Sequence, residues 1–181
     1  MVDRWNRVPD GIEPIVAYRG WYYEIGHERA TLRSFTAVPG WEGASRAWVF
    51  ASCKRPDTGP WHFAPEEQCT CGFYAVKALP HILRWAPMLQ GMVAPFQPST
   101  STETRTGIVF GRVELAGKVI EHELGYRAER ARIAELILTR GSEWPVMILS
   151  QRLGIPVGEP ADVPTMHEVV RSSMPRLRRP P

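Results

Sequence analysis

The fold is decided by one stretch of the chain, Gly107-Ile-Val-Phe-Gly-Arg-Val-Glu-Leu-Ala-Gly-Lys-Val-Ile120. From Arg112 onward its apolar side chains alternate with polar or small ones at a period of two, which is typical of a β-strand with one buried face. Gly111 and Gly117 favour a sharp bend or a bulge, as in a closed barrel. The stretch therefore predicts a long, bent strand.

The segment that follows, residues 126–133, has two possible structures. Its alanine, arginine and glutamate residues favour a helix by local propensity. We predict a returning strand instead, because Gly125 and the preceding strand indicate a β-hairpin. The polar residues 121–125 form the connection.

The rest of the chain predicts shorter elements of both kinds. Strands are expected at residues 14–24, 31–38 and 46–52, and helices at residues 72–83 and 144–153. We therefore expect an α+β fold: a small mixed β-sheet or barrel with one or two packing helices and a zinc-clipped loop. Residues 1–13 are expected to form an N-terminal arm, residues 14–157 a single zinc-stabilised β-rich domain, and residues 158–181 a flexible basic tail.

Composition sets wide limits on function. Among 181 residues, 22 are basic and 19 acidic, which gives a net charge of +3. Such a slight excess permits an anionic partner such as nucleic acid but does not require one. The first residues contain no apolar signal region, and no apolar run reaches membrane-spanning length. We expect a cytoplasmic protein without a membrane partner.

All three cysteines lie close together, with a histidine between them. Cys53, His62, Cys69 and Cys71 supply three thiolates and one imidazole, the ligand set of a closed tetrahedral zinc site. The intervening prolines and glycines form a loop able to fold around a metal ion. The sequence therefore predicts structural zinc as the cofactor.

Other interpretations of these cysteines stay open. Cys53 is also compatible with a buried strand residue, with Cys69 and Cys71 as an incidental or redox-active pair. The odd cysteine count argues against a disulfide framework. An iron–sulfur cluster usually takes four cysteines in other spacings.

Three segments together resemble a set of uncharacterised, mostly actinobacterial and phage-borne proteins. They are Cys53…His62…Ala64-Pro65…Cys69-Thr-Cys71-Gly-Phe-Tyr-Ala75, the run from Gly111 to Glu129, and Leu153-Gly-Ile-Pro-Val157. The relatives have Cys…His-x-Ala-Pro…Cys-x-Cys-Gly-Ile-Tyr-Ala in the first segment, and Gly-x-Val-x-Leu-Trp-Gly followed by Gly-Tyr-Arg-Ala-Glu in the second. Ala116 stands where they often carry tryptophan. The resemblance implies the zinc site and a strand after Tyr126.

The expected arrangement also resembles, faintly, the PUA-like folds, which include ASCH, EVE and YTH modules. These read RNA or modified bases in aromatic pockets. The resemblance implies a non-catalytic binding module for nucleic acid or a modified base. The candidate ligand-binding residues are Trp21, Trp48, Trp61, Tyr126 and Arg127. The same tryptophans also suit the core of a small β domain, and the arginines a solvated strand face.

Two further classes of function stay open. A compact body with basic and proline-rich segments also fits an adaptor that binds a protein partner, such as a phage-encoded modulator of a host protein. A small hydrolase or transferase would use His122, which lies between two glutamates as an acid–base candidate. Because neighbouring strand residues face opposite ways, that triplet does not converge on one point. The sequence therefore favours binding over catalysis.

Overall fold

The structure, a computed structural model, describes residues 13–35, 47–53, 62–83 and 104–159. These residues form six strands and two helices: β1 (Ile15–Ile25), β2 (Ala30–Ser34), β3 (Val49–Phe50), β4 (Phe73–Val76), α1 (Leu79–Leu83), β5 (Arg105–Glu121), β6 (Gly125–Ile137) and α2 (Glu143–Leu153). The predicted α+β class is confirmed. Nearly all of the expected arm, most of the expected tail and Trp61 lie outside the described residues.

The β5–β6 hairpin is the centre of the sheet, and the predicted strand after Tyr126 is confirmed. The two strands pair antiparallel from Phe110↔Ile137 to Glu121↔Tyr126. Helical propensity in β6 is overridden because pairing occupies both of its edges and because its alanines, Ala128 and Ala131, are completely buried.

The two glycines that predict bending lie at the irregular parts of this hairpin. The register shifts once between Arg112 and Val113, next to Gly111, and again between Ala116 and Val119, around Gly117. Gly117 has φ +77°, a conformation that other residues adopt only with strain. A Cβ on Gly111 would lie 2.3 Å from the Glu135 carbonyl oxygen. Here glycine permits a close backbone approach.

The sheet curls into a partly closed ring. Its order is β2-β1-β4-β6-β3, while β5 pairs with both β1 and β6. The circuit β1–β4–β6–β5 therefore returns to β1, and all of these pairs are antiparallel. Its main core contains the fully buried side chains Trp21, Phe73, Leu115 and Ile133.

The prediction of a single helix over residues 72–83 is wrong in its first half. Residues 73–76 form β4, and only Leu79–Leu83 is helical. Within β4, Phe73 and Ala75 are buried while Tyr74 is exposed, which is the period of a strand. The apolar spacing of residues 73–76 favours a helix, but the segment forms a strand because it pairs with both β6 and β1.

The helices pack on different parts of the sheet. Leu79 and Ile82 of α1 form a second cluster with Phe110 and Ile137. The predicted C-terminal helix is confirmed as α2, which ends at Gly154 in the left-handed conformation. No helix within the described ranges is long and apolar enough to span a membrane.

Candidate metal centre and adjoining cavity

The four predicted metal ligands come together in space. The ligand atoms of Cys53, His62, Cys69 and Cys71 all lie within 4.8 Å of one another. The Sγ atoms of Cys53 and Cys69 are 3.7 Å apart, and His62 Nε2 is 3.3 Å from Cys71 Sγ. Cys69 is buried and the other three are half-buried.

This spacing fits a tetrahedral zinc ion. Zn–S bonds of about 2.3 Å and Zn–N bonds of about 2.0 Å place two sulfurs about 3.8 Å apart and a sulfur and nitrogen about 3.5 Å apart. The Cys53–Cys69 and His62–Cys71 distances of 3.7 and 3.3 Å are close to these values. Three thiols and an imidazole are also a donor set that zinc favours. The cluster can therefore hold a metal ion.

The sheet register explains why residues so far apart in sequence meet. Because β5 occupies one edge of β6, β3 and β4 follow one another along the opposite edge, at residues 130–131 and 125–128. Cys53 follows the end of β3, and Cys71 precedes the start of β4. The bridge between Ser52 and Phe63 then places His62 opposite Cys53. The centre thus joins the facing ends of two short strands.

Arg127, on β6, binds the backbone of the segment that carries three of the ligands, residues 62–72, which we call the metal loop. Its Nη1 donates hydrogen bonds to the carbonyl oxygens of Glu66 at 3.2 Å, Cys71 at 3.3 Å and Cys69. Only 5% of the residue is exposed. Two of these carbonyls belong to metal ligands, so Arg127 orients the ligands without touching the metal. Zinc with three thiolates carries a net charge of −1, which the guanidinium charge complements.

Two further contacts hold the loop at its surface. The Tyr74 hydroxyl donates to the Thr70 carbonyl oxygen at 2.6 Å. Lys118 Nζ lies 3.3 Å from a carboxylate oxygen of Glu66. Both groups are at least one-third exposed, so their contribution to stability is smaller than that of the buried Arg127.

The thiols of the CxC pair differ in acidity. Burial acts to raise the pKa of Cys69, but hydrogen bonds, first from the Cys71 backbone N–H and then from the side chains of Cys71, Cys53 and His62, lower this pKa to about 7. Burial raises the pKa of Cys71 to about 11, and the neighbouring Cys69 thiolate contributes to the rise. One thiolate is thus available near neutral pH, whereas a metal must displace the proton from Cys71.

A cavity of about 730 Å³ adjoins the metal loop. Residues 67–70 of the loop form one side, and residues of β1, β4, α1 and β6 form the others. Its aromatic residues are Tyr18, Phe35, Tyr74 and Tyr126. The volume lies within the range of pockets that bind small molecules, roughly 300–1,000 Å³.

Basic groups also border this cavity. Arg127, Arg19, His81 and His122 all contribute to its lining. The guanidinium of Arg19 donates to the Tyr74 carbonyl oxygen and to Ser34 Oγ. Burial lowers the pKa of Arg19 to about 10, so it remains a cation at neutral pH.

The five predicted ligand-binding residues separate into three groups. Arg127 and Tyr126 border the cavity, although Tyr126 also packs against the main core. Trp21 is completely buried in that core, so its ring contributes to packing rather than to a ligand surface. Trp48 lies elsewhere, with the guanidinium carbons of Arg132 and Arg130 at 4.9 and 5.7 Å from its ring centre. Trp61 lies outside the described residues.

Sequence reasoning missed three cavity residues, Tyr18, Phe35 and Tyr74. Tyr18 and Tyr74 belong to strands and lie on the face opposite Trp21 and Phe73, as strand alternation requires. That alternation was the available signal for these two. No local sequence pattern places Phe35, whose ring lies against Gly20 and makes an edge contact with the Tyr22 ring at 4.5 Å between ring centres.

His122, the candidate acid–base residue, is engaged by Arg127. Its Nε2 accepts a hydrogen bond of 2.9 Å from Arg127 Nε. The Nε2 lone pair that a general base would use is therefore occupied by this hydrogen bond.

Comparison with other proteins adds no relative. No family model, curated protein or solved structure matches the chain. The resemblances to the phage-borne proteins and to PUA-like folds therefore stay predictions.

Proposed function

We propose that this protein is a non-catalytic, zinc-stabilised module that binds a base of single-stranded nucleic acid in the cavity beside the metal loop. One observation carries the proposal. A pocket-sized cavity has aromatic residues from three strands and the segment after β2, together with a buried arginine, on its walls.

The aromatic rings on the cavity walls offer flat surfaces on which a base can stack. A flat base stacks on aromatic rings, and each stacking contact contributes roughly 1–3 kcal/mol. Tyr18 and Tyr74 lie on neighbouring strands, which restricts their motion before a ligand arrives. Rigid rings lose little conformational entropy on binding.

The proposal of binding rather than catalysis rests on two groups. His122 Nε2 accepts a hydrogen bond from Arg127, so its lone pair is already engaged and does not face a substrate proton. Four protein ligands would also close the coordination shell of zinc, whereas a catalytic zinc keeps one position open.

Binding of fluorescent single-stranded oligonucleotides, followed by anisotropy at low salt, tests the proposal. We expect saturable binding that Phe35→Ala and Tyr74→Ala each weaken about tenfold, because each removes one stacking ring. Trp144→Ala is the matched control, since Trp144 is an aromatic residue that is 45% exposed and does not border the cavity. Absence of binding, or equal losses in all three variants, would exclude the cavity as a base-binding site.

A second candidate function is a protein-interaction adaptor. Phe63, the residue after the ligand His62, is 87% exposed, and Phe50 is 40% exposed. Exposed aromatic residues on a rigid support are common anchors in protein interfaces. This candidate is favoured if no oligonucleotide binds.

A further inference from the structure

We infer that Arg127 forms a phosphate subsite in the cavity wall, so that the ligand is a nucleotide rather than a bare base. The inference rests on the proposed function, because it concerns the same cavity. The phosphate belongs either to a free nucleotide or to the backbone of a strand, and the experiment below separates these sources.

The first support is the way the Arg127 guanidinium is held. Nε donates to His122, and Nη1 donates to the loop carbonyls. Nη2 makes no hydrogen bond with any of the described residues, although Arg127 borders the cavity. The guanidinium is thus fixed by two of its nitrogens and retains the donors of the third. A prepositioned donor loses little entropy when it binds an anion.

The second support is charge. Five other basic side chains in the described part of the chain, Arg33, Lys77, Arg112, Lys118 and Arg132, form ion pairs with glutamates. Arg127 has no carboxylate within ion-pair distance among the described residues. Its side chain is nevertheless more deeply buried than the five paired side chains. A buried cation is costly unless an anion or a set of dipoles compensates it.

A zinc ion held by the four ligands would supply only part of this compensation. Arg127 contacts the carbonyl oxygens of Cys69 and Cys71, not their sulfur atoms. The net negative charge of a zinc–thiolate centre would therefore act across the backbone. A phosphate at Nη2 would accept a direct, charge-assisted hydrogen bond, for which arginine is well suited.

The remaining cavity lining agrees with a single phosphate next to a flat group. Among the described residues, Glu67 is the one carboxylate that borders the cavity, and it is exposed. The aromatic residues Tyr18, Phe35 and Tyr74 provide the surface for the base. The described lining thus combines stacking surfaces with the Nη2 donors of Arg127.

The test changes the ligand and leaves the protein intact. Calorimetric titration of the zinc-loaded protein compares each ribonucleoside with its 5′-monophosphate, and a dinucleoside phosphodiester with its uncharged methylphosphonate analogue. We expect the charged member of at least one pair to bind about 10- to 100-fold more tightly, as for a charge-assisted hydrogen bond. A preference seen only with the monophosphate identifies a free nucleotide, and one seen with the phosphodiester identifies a strand.

Arg127→Gln removes the guanidinium and should reduce the preference for the charged ligand to about onefold. Arg33→Gln is the control, because Arg33 is exposed and lies outside the cavity. For each protein, the affinity for the charged ligand is divided by the affinity for the uncharged one, and this ratio is compared between variant and native protein. The ratio is used because Arg127→Gln also weakens the metal loop, which would affect both ligands. Zinc content is measured alongside, and if the variant does not fold, the ligand pairs alone decide.

Two outcomes overturn the inference in distinguishable ways. Equal binding of charged and uncharged ligands removes the phosphate subsite and leaves the base-binding proposal standing. If neither member of any pair binds and oligonucleotides do not bind either, the proposed function fails together with the subsite.

Discussion

Replacement of Cys69 by serine is the most direct test of the metal centre. Cys69 is the buried ligand, and its Sγ lies 3.7 Å from that of Cys53. A serine hydroxyl does not ionise near neutral pH and is a poor zinc ligand. We expect one zinc ion per chain in the native protein and a loss of bound zinc in the variant.

The size of the effect follows from the loop that the metal closes. A cross-link between Cys53 and Cys71 restricts the unfolded chain much as a disulfide would, which contributes about 3 kcal/mol for a loop of this length. Loss of order at residues 66–71 would also disturb the carbonyl partners of Arg127. We expect a total loss of about 3–5 kcal/mol, a range also seen for loss of one partner from a buried charged contact. The main core is separate from the loop, so we expect a destabilised rather than an unfolded protein.

The assay is urea unfolding followed by tryptophan fluorescence, with elemental analysis of protein purified without chelator. Trp21 reports on unfolding because its ring is completely buried in the core. His62→Asn should behave like Cys69→Ser, whereas His27→Asn is the matched control because His27 is exposed and belongs to no metal cluster among the described residues. Hydrogen exchange should show faster exchange in residues 62–72 of the two ligand variants.

Two results would contradict this reasoning. One is a metal-free native protein that is as stable as the metal-loaded form. The other is a zinc-loaded native protein that Cys69→Ser destabilises by less than about 1 kcal/mol, the size of an ordinary substitution.

Two further substitutions test the packing that supports the centre. Arg127→Met should lower the free energy of unfolding by about 1–3 kcal/mol, since it leaves buried loop carbonyls without their donor. Arg33→Met should cost less than that, because the ion pair of Arg33 with Glu24 is half-exposed. Denaturant unfolding of both variants measures the difference, and equal effects would contradict the role given to Arg127. Gly111→Ala should cost about 1–3 kcal/mol, because the new Cβ would meet the Glu135 carbonyl oxygen at 2.3 Å. Gly26→Ala is its control, with the nearest atom at 3.8 Å, and thermal unfolding that ranks the two glycine variants in the opposite order would refute the close approach.

The sequence by itself determined the features that depend on residue type and short spacing. The alternation from Arg112 to Val119, with glycines at the irregular points, predicts β5 and its bends because strand geometry has a fixed period. The metal ligands were predictable for a similar reason, since thiolate and imidazole chemistry is a property of the side chains. All four lie within residues 53–71.

Only the tertiary structure decided the secondary structure of segments whose local signals conflict. Residues 126–133 have helical propensity and residues 73–76 fit a helical apolar pattern, yet both segments form strands because they pair with neighbouring strands of the ring. The cavity and the role of Arg127 were also decided only by the tertiary structure. Arg127 and its acceptor Cys69 are 58 positions apart, and no local pattern encodes a contact that forms only when β4 and β6 align in register.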